Sequence, residues 1–167
     1  MYQIGEYIMY SNSGVCKVLD ICTLPHSNNE TDLCYMLQPA FDNKSKIYIP
    51  VSNDKVFMRR IYTKPEVKKF IESMAKLKPF WIDDKKERQI KFKETLKSHD
   101  TKNCMRILKG FYLEKQAKSA DGKALSNSDN ILFSFAEKQL FGEFAVALQI
   151  PIESMAKYIG TCLSEVN

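Results

Sequence analysis

Val56-Phe57-Met58-Arg59-Arg60-Ile61-Tyr62-Thr63-Lys64-Pro65-Glu66-Val67-Lys68-Lys69-Phe70-Ile71 is where the chain changes character. Up to Ile61 the residues suit a short strand. From Thr63 they suit a helix start: Thr63 at the N-cap, Pro65 in the first turn, Glu66 near the positive helix end. Val67, Phe70, Ile71, Met74 and Leu77 then recur at i, i+3, i+4, i+7 and i+10. That is a helical apolar stripe, and Pro79 stops it. The 167 residues therefore read as two domains, 1–62 and 63–167.

Upstream of the switch the pattern is β. Ile4, Tyr7, Ile8, Met9 and Tyr10 form a first apolar run, and Ser11-Asn12-Ser13-Gly14 supplies a turn in which Asn and Gly tolerate positive φ. Val15 to Ile21 is a second strand with imperfect alternation. Pro25 to Asp32 is polar and without period, hence a loop. Leu33 to Leu37 is a third strand, Asp42 to Ser45 a hairpin turn, and Lys46 to Val51 a fourth strand. Pro50 cannot donate to a ladder, which puts it at an edge or strand end. Val56 to Ile61 is the fifth. Five short strands in about 60 residues leave no room for crossover helices, so a small antiparallel barrel is expected.

Downstream the pattern is helical. Phe80-Trp81-Ile82 is an apolar knot, and Asp83-Asp84 can cap a helix reaching about Ser98. That helix carries Ile90, Phe92 and Leu96 as apolar residues and Lys85, Lys86, Arg88, Lys91, Lys93 and Lys97 as basic ones. Asp100 caps a third helix with Met105, Ile107, Leu108, Phe111, Tyr112 and Leu113. After a polar loop over 118–125, Ser126 or Ser128 caps a fourth with Leu132, Phe133, Phe135, Ala136, Leu140, Phe144 and Leu148. Residues 152–165 form a last helix with Ile152, Met155, Ile159 and Leu163. The fold class is α+β, a β domain followed by an all-α domain of about five helices.

The net charge of +5 is uneven. Residues 1–62 hold six basic and six acidic side chains, and residues 63–123 hold seventeen and nine, a net of +8. Residues 124–167 sum to −3. A positive field in mid-chain suits a polyanion such as DNA, or else a solvated helix face, because Lys and Glu are mixed there. No apolar run approaches the ~20 residues of a membrane span. The start lacks the basic and apolar regions of a signal peptide. A cytoplasmic protein is expected, without cofactor or metal.

Enzymatic machinery is scarce. Gly-rich phosphate loops, G-x-S-x-G, H-E-x-x-H and EF-hand patterns are absent from the sequence. His26 and His99 lie near no metal spacing, and Cys16, Cys22, Cys34, Cys104 and Cys162 form no C-x-x-C. They read as reduced thiols, with no neighbour that activates Cys16 or Cys104 as a nucleophile. A non-enzyme is expected. Trp81, the single tryptophan, has two readings open: an aromatic wedge against bases, or an anchor between two helices of the core.

Several segments together resemble the CarD family of bacterial transcription regulators, whose N-terminal module also occurs in transcription-repair coupling factors. Ile4-Gly5-Glu6-Tyr7-Ile8-Met9-Tyr10 is similar to the family's start, with Glu6 in place of the usual Asp. Gly14-Val15-Cys16-Lys17-Val18, Tyr35-Met36-Leu37, Ile47-Tyr48-Ile49-Pro50-Val51 and Val56-Phe57-Met58-Arg59 look like its later strands. Trp81 before a charged helix, Ser98-His99-Asp100 and Phe144-Ala145-Val146-Ala147-Leu148 resemble its helical half.

The resemblance implies a Tudor-like N-terminal module that binds the RNA polymerase β subunit by strand-on-strand contact, through Ile47, Tyr48, Ile49 and Pro50. It also implies a helical domain at the upstream edge of the melting promoter. There Trp81 acts as a wedge that stabilises the open complex, with Lys85, Lys86, Arg88 and Lys91 on the DNA. Two departures stand out. Asp83 and Asp84 occupy the place of basic residues that usually follow the Trp, and Tyr48 stands where some members carry Arg. The alternative is an interaction scaffold whose β domain docks a partner with no DNA contact. The oligomeric state stays open between a monomer and a weak homodimer through an exposed strand edge.

Overall fold

The computed structural model describes residues 1–23 and 32–165, in two compact units, Met1–Tyr62 and Thr63–Asn167. The loop expected from Pro25, with His26, lies outside the described residues, as does the side chain of Leu163.

The first unit is a five-stranded antiparallel sheet built from β1 (Tyr7–Tyr10), β2 (Gly14–Thr23), β3 (Leu33–Pro39), β4 (Ile47–Pro50) and β5 (Met58–Arg60), in the order β4-β3-β2-β1-β5. The expected barrel is thus an open sheet among the described residues, with β4 and β5 at its edges. Five strands were legible, but closure needs β4 to pair with β5, whereas among the described residues β5 pairs only with β1, a choice of partner that side-chain alternation does not encode. The β1–β2 turn places its positive φ at Ser11 (+37°) and Gly14 (+73°). Gly14 combines that φ with a ψ of −142°, a region essentially reserved for glycine.

The imperfect alternation of β2 has a structural cause. Ile8, Cys16, Val18, Tyr35, Leu37 and Ile49 form the core of the unit. Strict period two from Cys16 and Val18 would put Asp20 and Cys22 in that core. The register shifts between Val18 and Asp20, so Leu19 is a bulge residue. One extra residue exchanges the faces beyond it. Ile21 then packs on the core beside Tyr35, while Asp20 and Cys22 turn to the other face.

The second unit is all helical: α1 (Lys64–Met74), α2 (Lys85–Lys97), α3 (Thr101–Ala120), α4 (Asn127–Leu148) and α5 (Met155–Glu165). Each of the first four starts at a polar cap. Glu66 accepts hydrogen bonds from the backbone N–H and hydroxyl of Thr63. Asp84, Asp100 and Ser126 accept from the N–H groups of Glu87, Asn103 and Asp129. Such caps satisfy donors that the helix itself leaves unpaired. α4 runs through the middle, packing against α1, α2, α3 and α5. Its Ala136, Leu140, Phe141, Phe144 and Ala145 are all buried, as a helix covered on most sides requires.

α1 ends at Met74, a turn before the Pro79 expected to stop it. Lys109 of α3 explains the early end. Its ammonium donates to the carbonyls of Met74, Ala75 and Leu77 at 2.9–3.0 Å, groups that an ending helix leaves without partners. Residues 75–84 therefore leave α1 as a braced connection, and Trp81 sits on it.

Candidate functional site

β4 is the edge strand that carries Ile47, Tyr48, Ile49 and Pro50. Its side chains alternate: Ile47 and Ile49 turn to the core, Tyr48 and Pro50 are exposed. The backbone alternates as well. Val51 N–H donates to the Leu33 carbonyl at 2.9 Å, which fixes Leu33, Tyr35 and Leu37 as the residues that bond to β4. Tyr48 therefore turns its N–H and C=O away from β3, toward the open edge. Pro50 brings no N–H, and its carbonyl accepts from Asn53 N–H at 2.9 Å. The edge thus offers a short template centred on Tyr48 and ended by Pro50. The Tyr48 hydroxyl donates to Met36 Sδ at 3.3 Å, which holds its ring along the sheet face.

Trp81 is half-buried, and residues of α2 and α3 hold it. Its ring meets Phe92 and Phe111 edge-on, with centroids 6.0 and 5.4 Å away. The Arg88 guanidinium lies 4.5 Å from the Trp81 ring centroid. A cation over an indole face is attracted by the ring quadrupole. The backbone before Trp81 is tied to α3: Phe80 N–H donates to the Arg106 carbonyl at 2.9 Å, and Arg106 Nε donates to the Lys78 carbonyl at 3.1 Å. Gly110 makes this approach possible. A Cβ there would lie 2.5 Å from the Phe80 carbonyl oxygen and 3.3 Å from Trp81 Cε3.

The basic residues named with Trp81 do not share one environment. Lys85, Lys86 and Lys91 are exposed along α2, and Lys91 pairs with Glu94 at 3.7 Å. Arg88 differs: it is only 6% exposed, so it is not part of that basic surface. Nε and Nη2 donate to the two carboxylate oxygens of Asp129 at 3.1 and 2.8 Å. Nη1 donates to the carbonyls of Ile82 and Asp83 at 2.6 and 3.0 Å. A two-pronged Arg–carboxylate pair with its remaining donor satisfied is the form in which buried charge is tolerated. Arg88 is thus a support for the Trp81 segment rather than a phosphate-facing side chain. The sequence carried a signal for this, since Arg88, Phe92 and Leu96 fall at i, i+4 and i+8 on one helix face. Ile90, apolar like Phe92 and Leu96, lies off that face and is 58% exposed.

Asp129 completes the support. It also accepts from Gln89 Nε2 and Ser126 Oγ, each at 2.9 Å. Burial pushes its carboxyl up, but hydrogen bonds and charge from Arg88, with those from Ser126 and Gln89, outweigh it and hold the carboxyl below the usual range. Asp129, Gly110, Arg106 and Lys109 were absent from the sequence reading. Only Gly110 carried a local mark, an isolated glycine inside a helix.

Residues 2–62 match the CarD-like/TRCF RID domain family. No curated protein matches the chain. The match begins and ends with the β unit, whose edge strand β4 carries the segment named above. Residues 2–62 are therefore a CarD-like/TRCF RID domain, an RNA polymerase-interacting domain.

Proposed function

We propose that the chain is a non-enzymatic transcription regulator. Its Tudor-like β unit docks on the RNA polymerase β subunit by adding a strand of that subunit to β4. Its helical unit presents Trp81, with Lys85, Lys86 and Lys91, to promoter DNA at the upstream edge of the bubble. The observation that carries the reading is the bracing of Trp81. A half-buried ring held by Arg88, Phe92 and Phe111 on a tied backbone is pre-organised, and beyond Asp83 and Asp84 the exposed Lys85, Lys86 and Lys91 follow. A planar ring can stack at an unpaired base or enter a deformable step, while lysines neutralise phosphates. The regulator then favours opening only by the difference between its affinities for melted and closed DNA.

The contacts of Trp81 with Phe92 and Phe111 also suit a core anchor, and hence the scaffold without DNA contact. Salt separates the two. If the lysines meet phosphates, affinity for promoter–polymerase complexes falls steeply between 50 and 200 mM salt, by about tenfold or more when two or three phosphates are neutralised. A profile as flat as that for polymerase alone selects the scaffold.

The docking half has its own test. Tyr48→Pro removes one outward N–H without touching the β3 ladder, a position where an edge strand tolerates proline. Capture of the isolated β subunit should weaken about tenfold, the scale of one lost hydrogen bond plus ring contacts, while Tyr48→Phe binds nearly as the parent does. Equal capture by Tyr48→Pro and the parent rules out the β4 edge.

A further inference from the structure

The bulge at Leu19 has brought two cysteines together that sequence spacing keeps apart. Cys22 of β2 stands directly opposite Cys34 of β3, and their sulfur atoms are 3.6 Å apart in hydrogen-bond contact. Without the bulge, Cys22 would face the core and Cys34 the opposite side.

We propose that Cys22 and Cys34 are a reversible disulfide site, closed by exchange with a low-molecular-weight disulfide. Three observations support it. The first is separation. Leu33, Tyr35 and Leu37 bond to β4, so Cys34 turns its backbone groups to β2 and forms a hydrogen-bonded pair with Cys22. Such a pair holds its Cα atoms about 5.5 Å apart, inside the span a disulfide bridges, so rotation about the two Cα–Cβ bonds brings the sulfurs together.

The second is access. Cys22 is half-buried and Cys34 is fully buried, which gives the two sulfurs separate roles. Burial, with the hydrogen-bonded contact to Cys22, pushes the Cys34 thiol up to about 11. Cys22 is thus the sulfur an external reagent meets, and Cys34 the one that resolves the adduct.

The third is contrast. Burial alone pushes Cys16 up to about 11, and burial with Asp100 and Glu143 pushes Cys104 up to about 12. Both are buried, and the Cys104 thiol donates to the Ala136 carbonyl at 3.7 Å.

The step balances as two exchanges. The Cys22 thiolate attacks one sulfur of the small disulfide, the Cys22–S–S–R bond forms and one RS⁻ leaves. The Cys34 thiol gives its proton to water and attacks the Cys22 sulfur. The Cys22–Cys34 bond forms and a second RS⁻ leaves. Two protein thiols are oxidised, and one small disulfide is reduced to two thiols. Because the ladder fixes both backbones, the bond closes under constraint and reopens readily with excess thiol.

The test incubates the full chain with glutathione disulfide and glutathione at several ratios, quenches with acid, alkylates free thiols and maps peptides by mass. The expected result is a Cys22–Cys34 disulfide in monomeric protein, lost again when reduced glutathione is raised. Cys34→Ser should stop at a glutathione adduct on Cys22, and Cys22→Ser should leave Cys34 free. Because Cys34→Ser alters a buried position, the wild-type map decides alone if that variant does not fold. Three results overturn the proposal: both cysteines alkylated after the oxidising mixture, a persistent wild-type adduct on Cys22, or a disulfide joining either cysteine to another.

Discussion

Asp129→Ala lowers the melting temperature of the helical unit by more than about 10 °C, because an unpaired buried charge costs roughly 3–5 kcal/mol. Arg88 would keep its place under Trp81 with two of its donors facing no acceptor, and Gln89 and Ser126 would lose theirs. Acid approaches the same endpoint without mutation. The folded Asp129 carboxyl lies below its unfolded value, so its contribution is fully present above about pH 4 and is lost as pH falls through the folded value. Thermal melts from pH 7 to pH 3, with wild type and Asp129→Ala side by side, measure both effects. The gap between the two curves narrows as the pH falls below about 4. Matching melts at pH 7 would show that the pair contributes nothing. Replacing Arg88 and Asp129 together by Met and Leu should recover much of the loss, since a buried pair exchanged for apolar side chains is often near neutral.

Gly110→Val displaces the Trp81 segment. The Cβ alone lies 2.5 Å from the Phe80 carbonyl oxygen, and that backbone is anchored by the Phe80–Arg106 hydrogen bond. Overpacking of this kind costs about 1–3 kcal/mol, and the better helix propensity of valine offsets only a few tenths of it. Gly110→Ala makes the balance finer, because alanine gains about 1 kcal/mol of helix propensity against the same clash. As the single tryptophan, Trp81 reports directly. Gly110→Val should expose the indole, shifting its emission to the red and raising its quenching by iodide. Wild-type emission and melting in Gly110→Val would mean that the segment is free to move.

What the sequence made legible follows from how local each cause is. The switch at Thr63 and the caps at Asp84, Asp100 and Ser126 were readable because each is decided within one turn of helix. The same holds for the strand around Tyr48, where alternation and Pro50 mark an edge. Arg88 was read with its lysine neighbours because charge composition does not say which cation faces inward. Its partner Asp129 lies 41 residues away. The opposition of Cys22 and Cys34 required the bulge at Leu19, a change of one residue in register that reverses every face beyond it. Sheet closure failed because β5 pairs with the distant β1 and not with β4, a choice of partner that alternation does not encode. Trp81 was singled out as the sole tryptophan beside a basic helix. Its bracing by Gly110, Arg106 and Arg88 comes from tertiary packing that no local pattern carries.

The measurement that bears most directly on the proposed role is the lifetime of open promoter complexes formed with the wild-type chain and with Trp81→Ala. A lost base stack is worth about 1–3 kcal/mol, so the lifetime gain given by the wild type should fall by roughly one to two orders of magnitude in the variant. Polymerase capture should be unchanged, because residues 2–62 are intact in it. Melting of Trp81→Ala is followed in parallel, and the lifetimes are compared at a temperature where both chains are folded. Open complexes that last as long with folded Trp81→Ala as with the wild type would contradict the account and leave Trp81 as an anchor of the helical core.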